Sequence, residues 1–150
     1  MRKEKNTSMN NVYCENCDKE TDYYVQQENK TVVVKGKQLN VTIYAAFCSI
    51  CHEKIFPDKV AKQNDLIIYD EYRRSEGLLT SDEIKAIRHK RGMSQTDLAD
   101  FIQCGHKNIA RYENGTIQDK VFDLLIRMVG DDACFNAIKS FKDNLLNKRI

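Results

Sequence analysis

SQTDLADFIQCGHKNIARYENG, residues 94–115, decides the fold of the C-terminal half of the chain. Ser94 precedes an amphipathic run and Asp97 follows three positions later, an acidic form of the capping box, so a helix is predicted to begin there. Gln103-Cys104-Gly105 is expected to end this helix, and Asn114-Gly115 a second one, because both sites offer a residue that can take positive φ. The stretch therefore predicts two short helices joined by a tight turn.

Small and apolar residues in these two helices indicate a helix-turn-helix. Two helices that cross at roughly a right angle need a small residue at their contact, and Ala99 supplies it. The apolar residues expected around this contact are Leu98, Ile102, Ile109 and Tyr112. In this motif a glycine most commonly lies four residues after the small residue, where this chain has Gln103, and Gly105 follows two positions later.

The composition and charge of the whole chain limit the classes of protein to which it can belong. Its 150 residues are 41% hydrophobic and 31% charged, which is typical of a folded soluble protein of one domain or two small ones. No apolar run approaches a membrane span, and the N-terminal residues lack the apolar core of a signal peptide, so we expect a cytoplasmic protein with no membrane partner. The formal net charge of +2 is too small to indicate nucleic-acid binding by itself.

Two CxxC knuckles define a second module. They are separated by thirty residues, and two such turns complete the tetrahedron of sulfurs that Zn²⁺ accepts. We predict one structural zinc ion per chain, with the ligands Cys14, Cys17, Cys48 and Cys51. A disulfide framework does not suit a reducing cytosol, and a redox motif would need a βαβ pattern that is not visible. His52 could replace a ligand, although a solvated side chain beside the knuckle is the simpler interpretation.

The spacer between the knuckles is rich in β-branched and aromatic residues. Three strands of a small antiparallel sheet are predicted, at residues 23–25, 31–34 and 41–47. Residues 28–30 and 35–37 are expected to separate them. The sheet would bring Cys48 back beside Cys14. Because so small a module buries little apolar surface, the metal is expected to contribute much of its stability.

Breakers and caps give the expected domain boundaries. The expected segments are a flexible tail at 1–12, a zinc-binding module at 13–57, a linker helix and hinge at 58–79, and a helix-turn-helix domain at 80–150. The hinge is placed at residues 75–77, and the charged residues of the linker helix, including Asp70 and Arg73, are expected to be solvated. The fold class is therefore α+β: a zinc-bound antiparallel β module joined by a linker helix to an all-α domain of about five helices.

The remaining helices supply a basic face and apolar stripes. A capping box at residues 80–83 opens a helix whose basic side is expected to contact DNA phosphates, through Lys85, Arg88, Lys90 and Arg91. One later stripe consists of Val121, Leu124, Leu125 and Met128, and a second of Cys134, Ile138, Phe141 and Leu145. The second stripe exceeds what a small helical core needs, which suggests a homodimer surface. Cys104 and Cys134 are expected to be buried thiols.

The order of these modules resembles a known family. A C-x2-C-x30-C-x2-C module with an intervening sheet, a linker and a helix-turn-helix that contains RYENG at residues 111–115 is similar to the MqsA family of antitoxins, which carry a YgiT-type zinc finger. The likeness covers residues 13–146. It implies a type II toxin-antitoxin system in which the zinc domain contacts a cognate ribonuclease toxin. The C-terminal domain would dimerise and repress its own operon.

The recognition helix is predicted to read a palindromic operator in double-stranded DNA. Members of the family use an asparagine and an arginine one turn apart; Arg111 matches the arginine, but the position four before it is Lys107 and the asparagine has moved to Asn108. Lys107 and Arg111 both suit guanine N7 and O6. The complete set of expected DNA contacts is Arg88, Arg91, Ser94, Gln95, His106, Lys107, Asn108 and Arg111.

Two other classes of protein remain open at this point. A stand-alone zinc-containing regulator would show the same residues but would have no toxin gene beside its own. A zinc-ribbon enzyme or RNA-binding factor would need acid and base groups around an open metal position, which four cysteines do not offer. We therefore expect no enzymatic activity.

Overall fold

The structure is a computed structural model that describes residues 11–148, and its N-terminal part is an antiparallel sheet. The strands are β1 (Asn11–Cys14), β2 (Lys19–Val34), β3 (Lys37–Cys48) and β4 (Lys54–Ile55), in the order β1-β2-β3-β4. Strands β2 and β3 form a long hairpin whose two turn residues, Lys35 and Gly36, both have positive φ. This is what a type I′ turn requires.

Strand β2 is continuous where the sequence predicted a break at residues 28–30, and that prediction is wrong. Asn29 Oδ1 accepts a hydrogen bond of 2.8 Å from Thr42 Oγ1 of the paired strand. Glu28 forms an ion pair of 3.1 Å with Lys54 of β4. These contacts offset the low β propensity of the three residues. One strand therefore replaces two that were expected.

The sheet also begins earlier than expected. Strand β1 starts at Asn11. Residues 11 and 12, the last two of the tail predicted at 1–12, therefore belong to the sheet. The rest of that predicted tail, residues 1–10, lies outside the described residues.

Helix α1 (Asp58–Ser75) follows the sheet. It begins after Pro57, whose carbonyl oxygen accepts hydrogen bonds from the N–H groups of Val60 and Ala61. The chain divides into two compact units inside this helix, residues 1–68 and 69–150, rather than at the hinge expected at residues 75–77. The core of the first unit consists of Cys14, Ala46, Cys48, Ile55 and Val60.

Up to residue 148, where the described part of the chain ends, the second unit contains five further helices, so the predicted α+β class with an all-α second part is confirmed. They are α2 (Ser81–Lys90), α3 (Gln95–Phe101), α4 (Asn108–Glu113), α5 (Lys120–Gly130) and α6 (Asp132–Asn147). Their common core consists of Leu79, Ile84, Leu98, Ala99, Ile102, Ile109, Tyr112, Ile126 and Val129. The predicted contact around Ala99 lies within this core. Among residues 11–148, no helix is long and apolar enough to cross a membrane.

A buried polar network explains why the end of α1 belongs to the second unit. Arg73 is fully buried and lies 2.9 Å from Asp70, so the prediction that these two residues are solvated is wrong. Arg73 donates hydrogen bonds to Asp70, to Gln118 and to the carbonyl oxygens of Tyr112 and Thr116. The Asp70 carboxylate also accepts from the N–H and the hydroxyl of Ser81, at the start of α2. The two charges can be buried because their polar atoms are paired.

The apolar face of α5 differs from the predicted stripe. Val121 and Leu124 are 67% and 57% exposed, whereas Ile126 and Val129 are buried. The inward face also carries Asp123, whose carboxylate accepts hydrogen bonds from the Leu79 N–H and from Arg127 and Gln118. Because Asp123 is charged, it interrupts the apolar pattern of the face that is actually buried. The exposed apolar residues of α5 therefore formed the more regular helical pattern in the sequence.

The two cysteines outside the knuckles are only half-buried, so the prediction of buried thiols is wrong. Cys104 lies in the turn between α3 and α4, and Cys134 in the first turn of α6. Cys104 is partly accessible because the turn lies at the edge of the core. Cys134 is partly accessible because α6 lies outside the core, and no residue of α6 is buried.

Candidate metal centre and nucleic-acid interface

The two CxxC knuckles bring four sulfur atoms together, as predicted. The sulfurs of Cys14, Cys17, Cys48 and Cys51 all lie within 4.8 Å of one another. The Cys14–Cys51 distance is 3.6 Å and the Cys17–Cys48 distance is 3.9 Å. Four sulfurs bound to one zinc ion at about 2.3 Å in a tetrahedron would be about 3.8 Å apart. The spacing of the donors therefore fits a tetrahedral metal ion.

The surroundings of the sulfurs favour thiolates at some positions and thiols at others. The Thr21 hydroxyl, 3.3 Å from Cys48 Sγ, and the backbone N–H groups of Cys51 and Ile50 lower the pKa of the Cys48 thiol to about 6. A hydrogen bond with Cys51, together with burial, raises the pKa of the Cys17 thiol to about 12. The four sulfurs therefore share protons when no metal is bound. A dication would remove this competition, because it binds all four as thiolates.

His52 does not lie among these donor atoms in the structure. Its Nδ1 is 3.2 Å from the hydroxyl of Tyr24, and its ring meets the Tyr24 ring edge-on with centroids 5.9 Å apart. The side chain is exposed. The interpretation of His52 as a solvated residue beside the knuckle agrees with this position.

The helix-turn-helix is built from the caps that the sequence predicted, with one difference in the turn. The Ser94 side chain accepts from the Asp97 N–H and the Asp97 carboxylate accepts from the Ser94 N–H, which confirms the capping box that opens α3. The left-handed residue after α3 is Gln103, with φ 59°, and not Gly105. The Gln103 side-chain amide donates to the carbonyl oxygen of Asp100 at 2.7 Å. This bond helps a residue other than glycine to hold that conformation.

A buried glutamate fixes α4 to the two helices before it. Glu113, at the end of α4, is 2% exposed. Its carboxylate accepts from Arg88 Nε at 2.7 Å and from Arg88 Nη2 at 3.1 Å, and it also accepts from Gln95 Nε2 at 2.7 Å. These bonds join α2, α3 and α4 through one carboxylate. Since a two-pronged guanidinium–carboxylate pair fixes geometry as well as charge, the orientation of α4 is well defined.

Helix α4 and its N-cap residue present two exposed cations. The helix begins at Asn108, so Lys107 lies at its N-cap and His106 in the turn before it. The side chains of Lys107 and Arg111 are exposed, and neither has a hydrogen bond or ion pair within residues 11–148. His106 lies 3.5 Å from the exposed Asp100, and Asn108 is half-buried. Four of the eight residues expected to contact DNA thus lie within α4 or directly before it.

The other expected DNA contacts have partners inside the protein. The Arg88 guanidinium binds Glu113 and also donates to the carbonyl oxygen of Met93. Arg91 donates to the carbonyl oxygen of Val129 and to Asp132, and its guanidinium lies over the Phe135 ring. These contacts occupy both arginines. Neither guanidinium can therefore bind a DNA phosphate without giving up an internal partner.

Comparison with known proteins agrees with this geometry. Residues 84–127, from helix α2 to helix α5, match a helix-turn-helix family. The class that the fold and this match define is a DNA-binding helix-turn-helix regulator that also carries a four-cysteine cluster. No curated protein sequence matches the chain.

The sequence did not assign a role to Glu113 or to Arg73. A signal for Glu113 was present: it follows Tyr112 in a helix whose inner residues include Ile109, so it lies close to the buried face. A carboxylate there needs a basic partner, and helix α2 offered several. For Arg73 the partners lie 3 to 45 positions away in sequence, and no local pattern connects them.

Proposed function

We propose that this protein is a zinc-containing transcription regulator that reads a DNA palindrome as a homodimer and serves as the antitoxin of a toxin-antitoxin system. Its helix-turn-helix would repress its own operon, and its cysteine module would bind the cognate toxin. The observation that carries the proposal is the surface of α4. There the side chains of Lys107 and Arg111 are exposed and have no hydrogen bond or ion pair within residues 11–148, on a helix held rigidly by Glu113.

DNA recognition would follow from this surface. With α4 in the major groove, Arg111 can donate two parallel hydrogen bonds to guanine O6 and N7, and Lys107, one turn earlier, can reach a neighbouring base or a phosphate. His106 and Asn108 would flank these contacts. Ser94 and Gln95, at the start of α3, would lie near the DNA backbone, although the Gln95 amide already donates to Glu113. The basic groups are few, so recognition would depend on local contacts.

The proposal of a homodimer is supported by an exposed apolar face on α5 and α6. Phe141, Leu145 and Leu146 are 63%, 49% and 66% exposed. They line a groove of about 480 Å³ together with Phe101, Leu125 and Ile138. An apolar surface of this kind is unusual on a monomer and suits a self-complementary contact. Two copies would present two recognition helices to the two half-sites of a palindrome.

Zinc is the ion proposed for the cysteine cluster. Four thiolates in a tetrahedron suit Zn²⁺ or an iron–sulfur centre, and the separation of about 3.8 Å between donors is that expected for a single zinc ion. The residues that would hold it are Cys14, Cys17, Cys48 and Cys51. A closed shell of four sulfurs leaves no position for a reacting water, so the role of the ion would be structural.

The assignment as an antitoxin rests on the order of the two modules and on the resemblance to the MqsA family. Its test is the open reading frame next to this gene. If the proposal holds, expressing that neighbour alone arrests growth, co-expressing this chain restores growth, and the two products co-purify. A chain that represses its own promoter but has no toxic neighbour would instead be a stand-alone regulator. A chain that binds no DNA from its own upstream region would contradict both functions.

A further inference from the structure

A groove in the first unit lies beside the cysteine cluster. It has a volume of about 750 Å³ and is lined on one side by residues 12–16 and on the other by residues 53–56. These segments include strands β1 and β4, the two outer strands of the described sheet, each of which pairs with one neighbour within residues 11–148. Outer strands carry unpaired backbone N–H and C=O groups, which can bind an extended chain segment.

Two large aromatic side chains on the walls of this groove are exposed. Phe56 is 81% exposed and Tyr13 is 52% exposed. The Tyr13 hydroxyl donates a hydrogen bond to Asp18, which holds its ring in place. Exposed aromatic residues around a cavity of this size are typical of a surface that binds another protein, because such residues supply most of the binding energy when they become buried.

The charges on the walls of the groove indicate the chemistry of the partner. The groove is lined by Glu15, Glu53 and Lys54. Lys54 is neutralised by Glu28, with Nζ 3.1 Å from Oε2. The carboxylates of Glu15 and Glu53 have no hydrogen bond or ion pair within residues 11–148. The walls are therefore acidic, which favours a basic partner and repels the phosphates of a nucleic acid.

We propose that this groove binds an extended, basic segment of a partner protein. An aliphatic or aromatic side chain of the segment packs against Phe56 and Tyr13, and its lysine or arginine side chains face Glu15 and Glu53. The inference rests on the proposed role of the cysteine module in binding a protein partner, and it specifies where and by what chemistry the partner binds.

The metal site and the groove are directly connected. Cys14 lies in one wall, and Cys51 precedes the other wall by two residues. An ion that holds Cys14 and Cys51 together also fixes the separation of the two walls. Binding of the segment therefore requires the metal-loaded protein, although the segment does not contact the metal.

The test uses the full chain loaded with zinc and a display library of random twelve-residue peptides. We expect the selected peptides to share lysine or arginine next to an aliphatic or aromatic residue. Phe56→Ser should weaken the best peptide roughly tenfold or more. The double variant Glu15→Gln, Glu53→Gln should weaken it several-fold and reduce its salt dependence. Val33→Ser is the matched control, because Val33 is 69% exposed in the same unit but does not line the groove.

Several results would overturn the inference. One is the selection of acidic or purely apolar peptides, and another is equal weakening by Phe56→Ser and Val33→Ser. Tighter binding of single-stranded RNA or DNA than of any peptide would assign the groove to nucleic acid. A dimer that dissociates on Phe56→Ser would assign it to a second copy, and a large gain in peptide affinity on deleting residues 1–10 would assign it to the chain's own N-terminus. Because the library does not depend on a neighbouring toxin, failure of the antitoxin proposal alone would leave the peptide result unchanged.

Discussion

Replacing Arg73 with methionine should destabilise the helix-turn-helix unit severely, even though Arg73 lies in helix α1, outside the helix-turn-helix. The guanidinium is fully buried and makes four hydrogen bonds, one of them to Asp70. Methionine fills much of the volume but leaves the Asp70 carboxylate buried without its counter-ion. Breaking a buried ion pair in this way costs about 3–5 kcal/mol of the free energy of unfolding. That is a large part of the roughly 5–15 kcal/mol that stabilises a typical domain.

The assay is urea and thermal denaturation of the full, zinc-loaded chain, with the loss of helix monitored by far-UV circular dichroism at 222 nm. For a unit of this size the expected loss corresponds to a fall in melting temperature of roughly 12–40 °C. Arg74→Met is the matched control, because Arg74 is the next residue on the same helix and its side chain is 59% exposed beside the exposed Glu71. It should change stability by less than about 0.5 kcal/mol.

A second variant separates the charge effect from the packing effect. Arg73→Met combined with Asp70→Asn removes both charges and should be less destabilised than Arg73→Met alone. If Arg73→Met cost less than about 1 kcal/mol, or no more than Arg74→Met, the buried network would not hold the end of α1 in the second unit.

Three further predictions follow from the same structure. A fragment of residues 58–150 should fold, whereas a fragment of residues 80–150, which lacks Asp70 and Arg73, should not. The dispersion of the amide signals in their NMR spectra distinguishes the two, and a well-folded 80–150 fragment would contradict this prediction. Metal binding should release protons, because the pKa of the Cys17 thiol is raised to about 12 in the metal-free cluster. In a chelator competition, zinc affinity should therefore fall by at least roughly tenfold for each pH unit as the pH is lowered from about 8 to 6. A zinc affinity that did not change with pH would refute this prediction. Phe141→Glu should give a monomer by sedimentation while Asn136→Glu, at an exposed position on the same helix, stays dimeric; an unchanged dimer in both would exclude this face.

The sequence was most informative where structure is determined locally. The capping boxes at Thr80 and Ser94 are both present, because a capping box needs only two polar side chains three residues apart, each accepting a hydrogen bond from the other residue's backbone N–H. The CxxC turns likewise place two sulfurs near one point regardless of what lies between the knuckles. The long hairpin then completes the cluster by pairing Tyr23 with Cys48, which returns the second knuckle to the first.

The sequence was least informative about buried charged residues. Asp70, Arg73 and Glu113 look like solvent-exposed residues of amphipathic helices, and only partners that are distant in sequence make their burial possible. The same reason accounts for Arg88, whose basic character suggested a phosphate contact but whose guanidinium is bound to Glu113. Charged side chains can be placed only when the packing of the helices is known, because the cost of burial depends on the partner.

The central claim, that α4 reads DNA through Arg111, is tested most directly by fluorescence anisotropy with two duplexes. One duplex carries the upstream region of the protein's own gene, and the other is a scrambled sequence of the same composition. Arg111→Ala should weaken binding to the first by roughly 1–3 kcal/mol more than binding to the second, and it should leave the melting temperature unchanged. Arg74→Ala, a surface arginine of α1, is the control and should alter neither. If Arg111→Ala reduced binding to both duplexes by the same factor, the assignment of Arg111 to base recognition would be contradicted.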